Sequence, residues 1–174
     1  MNETMKAMLE RRSVRKFKSD PVPQQIIDQI TEAGLYAASG KGRQSAIIVQ
    51  VTDPALVARI SEANRAIGGW KEGFDPFYGA PAMLIVLADR SVPTYLYDGS
   101  LVMGNLMLAA HALGIGSCWI HRAKQEFESE AGKAFLKKLG IEGDYEGIGH
   151  CALGYADGVI PAPAARLEGR VFRA

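Results

Sequence analysis

The sequence predicts an α+β domain in which a central mixed sheet of about four to five strands is flanked by helices. Three observations lead to that class. The chain has 174 residues, 48% of them apolar, which suits one domain (1–174) with a real core. Short runs rich in Ile, Val and Leu alternate with longer segments whose apolar residues recur at helical spacing. From Gly99 to Ile120, "GSLVMGNLMLAAHALGIGSCWI" holds 22 residues without Asp, Glu, Lys or Arg. That length could span a bilayer. Asn105, His111 and the "GIG" break at Gly114–Gly116 instead indicate a buried helix, a turn and a buried strand.

The elements follow in order. Residues 3–11 form a short helix with Met5, Met8 and Leu9 on one side. In "SDPVPQQIIDQITEAGLYAAS", Pro23 suits the first helical turn, and Ile26, Ile27, Ile30, Leu35 and Tyr36 approximate a 3.6-residue stripe. "SAIIVQVTD" reads as a strand ended by Asp53-Pro54. "PALVARISEANRAI" is helical, and "GGWKEGFDPFYG" is a loop punctuated by glycine and proline. "APAMLIVLADR" is a continuous apolar run, as expected of a strand covered on both faces. A long helix follows from Asp98 to Leu113, with Asp98 or Ser100 as cap and Gly114 as stop. It is apolar nearly all round, so it is buried within the domain or between subunits. "IGSCWIH" is a strand, "KQEFESEAGKAFLKKLG" one amphipathic surface helix, and "GIGHCALGYA" a last strand. In the tail "PAPAARLEGRVFRA", "RVFR" could pair with a sheet edge. The count is about four core strands and five helices. Long helical connections permit parallel pairing, and strand order stays open.

Charge excludes some functions. With 20 basic against 19 acidic residues, the net charge is +1, unlike a general polyanion binder. Cys118 and Cys151 are too few for a disulfide framework and lack metal-type spacing, which agrees with a reducing, cytoplasmic setting. They read as packed thiols. "MNETMKAMLE" has no apolar signal-peptide core. No metal, nucleic acid or membrane partner is expected.

Against that neutral background, "MLERRSVRKF" gathers Arg11, Arg12, Arg15 and Lys16 around Ser13, with Lys18 just beyond. Guanidinium groups match phosphate oxygens in charge and planar geometry, and a serine hydroxyl adds a neutral donor. The same cations also favour a helix C-terminus, so the cluster is either an anion site or a solvated face. A second cationic stretch, "AASGKGRQ", follows a helix; its backbone N–H groups could receive an anion, or it could be a helix stop. Neither a Walker P-loop nor a dinucleotide-type GxGxxG is present. His111 reads as a core histidine. His150 and Cys151 are strand neighbours that point to opposite faces, which argues against a catalytic pair. Trp70, Phe74, Phe77 and Tyr78 could line an entrance or close the core.

"RRSVRKF", "ASGKGRQ", "YGAPAMLIV" and "YDGSLVMGNLMLAAHALGIGSCWIH" occur in the order and spacing of the nitroreductase family of FMN-dependent oxidoreductases. The chain resembles that family from about residue 4 to residue 166. The resemblance implies a nitroreductase-like, dimeric fold binding FMN, with NADH or NADPH as donor and a small, flat electron acceptor such as a nitroaromatic or quinone. It implies that Arg11, Ser13 and Arg15, with Arg12 beside them, hold the flavin phosphate and the polar end of the ring. Arg166 is a late basic contact to the phosphate, and Asn64 addresses the pyrimidine edge. The partner subunit's loop would supply Ser39, Gly40, Lys41, Gly42, Arg43 and Gln44. The backbone of Ile120 and His121 would pass the reactive edge near flavin N5. Phe77 and Tyr78 fall on the substrate side, and no side chain is assigned a catalytic role. Two departures stand out. Gly42-Arg43-Gln44-Ser45-Ala46 replaces the Asn-x-Gln-Pro-Trp of many relatives, and Ala164-Ala165-Arg166 replaces Lys-x-Arg. The alternatives are an FMN-binding protein with a non-redox or regulatory role, and a phosphate-ligand enzyme that uses no flavin.

Overall fold

In the computed structural model, which describes residues 1–174, the chain is organised by two central strands. Ala82–Asp89 (β2) and Tyr145–Gly154 (β4) are buried almost throughout, and β1 (Ala46–Val51) and β3 (Gly116–Ile120) flank them in the order β1-β2-β4-β3. Because strand side chains alternate between faces, β2 feeds two cores. Leu84, Val86 and Ala88 meet Ile27, Ile30, Val102, Met103 and Leu106 on one side. Met83, Ile85 and Leu87 meet Val14, Phe17, Phe77, Phe127 and Leu136 on the other.

The four strands pair antiparallel throughout, which corrects the expected mixed sheet; the one parallel contact in this region is an isolated bridge, Ser13 to Ser117. Chain routing explains the difference. After β1, the helix Pro54–Ile67 (α3) carries the chain away and residues 68–81 bring it back, so β2 starts opposite the end of β1, with Val51 paired to Met83. Residues Tyr95–Ala112 (α4) do connect β2 to a strand of the same direction, but β4 lies between β2 and β3. The sheet has four strands, within the expected range.

Helices Glu3–Glu10 (α1) and Gln24–Leu35 (α2) lie where the apolar stripes place them. Two helical readings are corrected. Helix α4 begins a turn before Asp98, after Thr94, and the Asp98 carboxylate sits inside the helix, where it accepts from the distant Gly40 N–H. The surface helix after β3 is two helices, Ala123–Glu128 (α5) and Glu130–Lys138 (α6). Ser129, in extended conformation, separates them and caps α6 by accepting from the Gly132 N–H at 3.0 Å. The total is therefore six α-helices. "RVFR" pairs with no strand of the chain, and Val171 and Phe172 are 81% and 89% exposed.

Candidate functional site

The opening cluster is laid against β3 by the backbone. Val14 N–H donates to Ser117 O at 2.9 Å, Phe17 N–H to Tyr78 O at 3.2 Å and Lys18 N–H to Tyr155 O at 2.9 Å. Val14 and Phe17 are buried, which turns the intervening Arg15 and Lys16 outward. Lys16 is paired with Asp157 at 2.6 Å. Arg12 folds back over the end of α1 and donates from Nη1 to the carbonyls of Leu9 and Arg11 at 2.8 and 2.6 Å. Arg11 and Arg15 have no carboxylate partner within the chain, and Arg11 Nη1 and Arg12 Nε are buried without any acceptor. Buried guanidinium donors left unpaired are costly, and an anionic oxygen would satisfy them. The donor set therefore fits a phosphate. Ser117 Oγ, also buried and unpaired, stands on β3 opposite Ser13 and adds a hydroxyl the sequence reading overlooked.

Burial pushes the Cys118 thiol up from its ordinary value, though Arg15, Ser13 and Arg11 act in the opposite direction; burial pushes Cys151 up to about 12. Both therefore remain protonated thiols at neutral pH, packed in the core as expected.

At the far end of β3, Ile120 is buried and His121 is exposed. Asn64, at the last turns of α3, donates from its side-chain nitrogen to His121 O at 2.7 Å. Asn64 is fully buried and fixes the backbone that leaves β3, while its side-chain oxygen is left without a partner. Phe77 is 1% exposed and packs edge-on against His150 at 5.2 Å, the core-closing one of the two placements open from sequence. Tyr78 is half-buried, with a positive φ of 58°. Beneath the β3 terminus, His150 and Glu126 form a buried pair at 2.9 Å. His111 is half-buried on α4.

The Ser39–Gln44 loop is held by specific hydrogen bonds although it is largely exposed. Gly40–Gly42 make a single 3₁₀ turn, with Lys41 and Gln44 at φ 55° and 49°. Asp98 holds it from below. Its Oδ1 accepts from Gly40 N–H at 2.9 Å, and its Oδ2 from Ser45 Oγ at 2.7 Å and Thr94 Oγ1 at 3.1 Å. Burial raises the carboxyl's proton affinity, but the donors from Ser45, Gly40 and Thr94 outweigh it and keep the group below its ordinary range. Gly40 is required by close approach, since a Cβ there would stand 2.3 Å from Thr94 Oγ1. No hydrogen bond or ion pair joins this loop, or Arg166 in the exposed tail, to Arg11–Arg15 of the same chain. Asp98 was legible only as a helix cap; an acid inside an otherwise charge-free apolar helix was the signal for a buried anchor.

Two clefts of about 690 Å³ lie elsewhere, one between α3 and residues 73–81 and one beside α6, and include none of these cationic or β3-end residues. No helix is long and apolar enough to cross a membrane.

An antiparallel sheet flanked by helices, with unpaired guanidinium donors beside one edge strand, gives the α+β class expected from the sequence. The chain belongs to the nitroreductase family, whose model matches residues 8–155. A Bacteroides fragilis nitroreductase solved with bound FMN is 26% identical, superposes with a TM-score of 0.91 and is covered over 100% of both chains. A Bacillus subtilis protein named as an NAD(P)H-using FMN reductase is 28% identical over 139 residues, which is 67% of this chain and 53% of that one. A Methanothermobacter thermautotrophicus relative is 28% identical over 121 residues, 67% of this chain and 60% of its own length. The chain thus spans little more than half the length of these two relatives.

Proposed function

We propose that the protein is an FMN-dependent oxidoreductase that uses NADH or NADPH to reduce small, flat acceptors such as nitroaromatics or quinones. The observation that carries this reading is the pair of buried, unsatisfied guanidinium nitrogens on Arg11 and Arg12, in the segment where the family resemblance puts the flavin phosphate. FMN, when bound, supplies a ring that accepts a hydride from the nicotinamide and passes electrons to the acceptor. Arg11, Ser13 and Arg15 would hold its phosphate and the polar end of the ring. The backbone at Ile120 and His121, steadied by Asn64, would face the reactive edge. Nearby cations would stabilise negative charge that builds up during reduction.

Donor and acceptor would occupy the same face in turn. Conversion of a nitro to a nitroso group takes a hydride equivalent from NAD(P)H and one proton from solvent, and both hydrogens leave with one nitro oxygen as water; overall, nitroarene, NAD(P)H and one proton give nitrosoarene, NAD(P)⁺ and water.

A homodimer belongs to the same reading. The exposed apolar side chains Leu96, Tyr97 and Leu101 on α4, Met5 and Met8 on α1, and Phe172 in the tail offer a self-complementary surface. The Asp98-anchored Ser39–Gln44 loop and Arg166 would then complete the partner's site. The deciding experiment is flavin identification in the purified protein, then anaerobic stopped-flow mixing with NADH and NADPH. FMN that bleaches rapidly is the expected result. Released FAD, no flavin after reconstitution, or FMN that never bleaches would each overturn the reading.

A further inference from the structure

Arg122 follows His121 directly and sits in left-handed backbone, φ 80° and ψ 5°, as the residue before α5. A side chain there is strained, and glycine is the residue that tolerates the conformation freely. Its position before α5 gives no reason for the arginine, because it makes no side-chain capping bond. Nor does an ion pair: every salt bridge in the chain leaves Arg122 out. What holds the guanidinium is Trp70, whose ring lies 4.2 Å beneath it. Trp70 leans on Phe74 at 5.0 Å, and Gly68 makes room for the indole, since a Cβ there would stand 2.5 Å from it. Asn64, on the same helix that leads into Gly68 and Trp70, grips His121 O. The strained backbone, the aromatic seat and the bond to His121 therefore converge on one uncompensated cation at the end of β3. Backbone strain retained at such a place directs attention to function.

We propose that Arg122 is a specificity-determining residue that selects planar aromatic acceptors carrying a carboxylate. This rests on the flavin reading above, which puts the acceptor beside the Ile120–His121 backbone. The aromatic seat limits the guanidinium's freedom without neutralising it, so its donors stay available for a bidentate grip on a carboxylate. The ring of the acceptor would lie over the flavin while its anionic group is held at the rim.

The test compares 4-nitrobenzoate with its uncharged methyl ester, using the FMN-loaded protein under anaerobic conditions. In Arg122→Gln, the ratio of kcat/KM for the acid to that for the ester should fall roughly ten- to a hundred-fold, the loss expected for a charge-assisted bond. Calorimetric titration of benzoate into the oxidised holoprotein should show a similar rise in Kd, independent of turnover. Arg122→Gly should lose the same selectivity while its melting temperature holds or rises, because the backbone strain is relieved. A ratio unchanged within about twofold in both variants would sink the assignment. So would a Gly variant that is less stable yet equally selective, which would make Arg122 a structural element. A change in NADPH-over-NADH preference in place of the acid-over-ester ratio would reassign the cation to the donor's phosphate. If the holoprotein's FMN never bleaches with NADH or NADPH, the flavin reading fails first and this inference falls with it; FMN that bleaches while benzoate binds no more tightly to wild type than to Arg122→Gln overturns this inference alone.

Discussion

Replacing Asp98 by alanine tests whether one buried carboxylate holds the Ser39–Gln44 loop. Three donors converge on it, from Gly40, Ser45 and Thr94. A bond to a charged acceptor is worth about 1.5–3 kcal/mol, but the three do not simply add. Gly40 and Thr94 are half-exposed and can turn to water, whereas Ser45 is 5% exposed and loses its acceptor outright. A total near 3 kcal/mol follows from one full loss and two partial ones. For a chain of this size that lowers the melting temperature by roughly 6–12 °C. The sign of the pH dependence is also fixed. Asp98 is held below its ordinary value of 3.8, so its contribution is fully present above that pH and is lost as pH falls through the depressed native value. Calorimetric melts of wild type and Asp98→Ala from pH 7 to about 2.5 should therefore show a gap that is constant, then closes below about pH 3.8. A neutral-pH difference under about 2 °C, or a gap that widens in acid, would refute the anchor.

Other outcomes follow from the same geometry. Arg15→Ala should weaken FMN binding roughly ten- to a hundred-fold in a flavin-fluorescence titration, while Lys18→Ala, outside the cluster, changes it little; equal effects would make the cluster a solvated face. Removing Glu126 leaves His150 Nε2 without its partner in the core, so Glu126→Leu should cost about 1–3 kcal/mol in urea unfolding, and a neutral result would mean the pair is dispensable. Mixing two inactive variants, one altered at Arg15 and one in the Ser39–Gln44 loop, should restore part of the activity after subunit exchange, because one site of the mixed dimer carries neither lesion. No recovery despite proven exchange would place each site within a single chain.

The strands were legible because their apolar runs are short, β-branched and bounded by turn residues, and "AMLIVLAD" could be read as central from its unbroken apolarity alone. Direction was not, since a helical connection does not reveal whether another strand will be inserted between the two it joins. The break at Ser129 was hidden by an amphipathic pattern that continues across it. At the site, the type of residue was readable and its orientation was not. Nothing in the pattern showed that Asn64 would grip the His121 carbonyl or that Phe77 would pack on His150. Arg122 gave no signal, because a positive φ at a non-glycine residue leaves no mark on composition or periodicity.

The placement of Ser13 and Val14 along β3 bears on the protein's colloidal behaviour. An uncovered edge strand offers a template on which other chains can polymerise, and lysine-rich or covered edges suppress that hazard. Here the cover is the segment studded with Arg11, Arg12, Arg15, Lys16 and Lys18, bonded to the strand through Val14 and Ser117. Asp157 offsets Lys16, but Arg11 and Arg15 have no carboxylate partner, so two chains meeting at this edge would repel each other where sticking would begin. Neutralising Arg11, Arg12 and Arg15 together should therefore shorten the life of the protein in solution even where its fold survives.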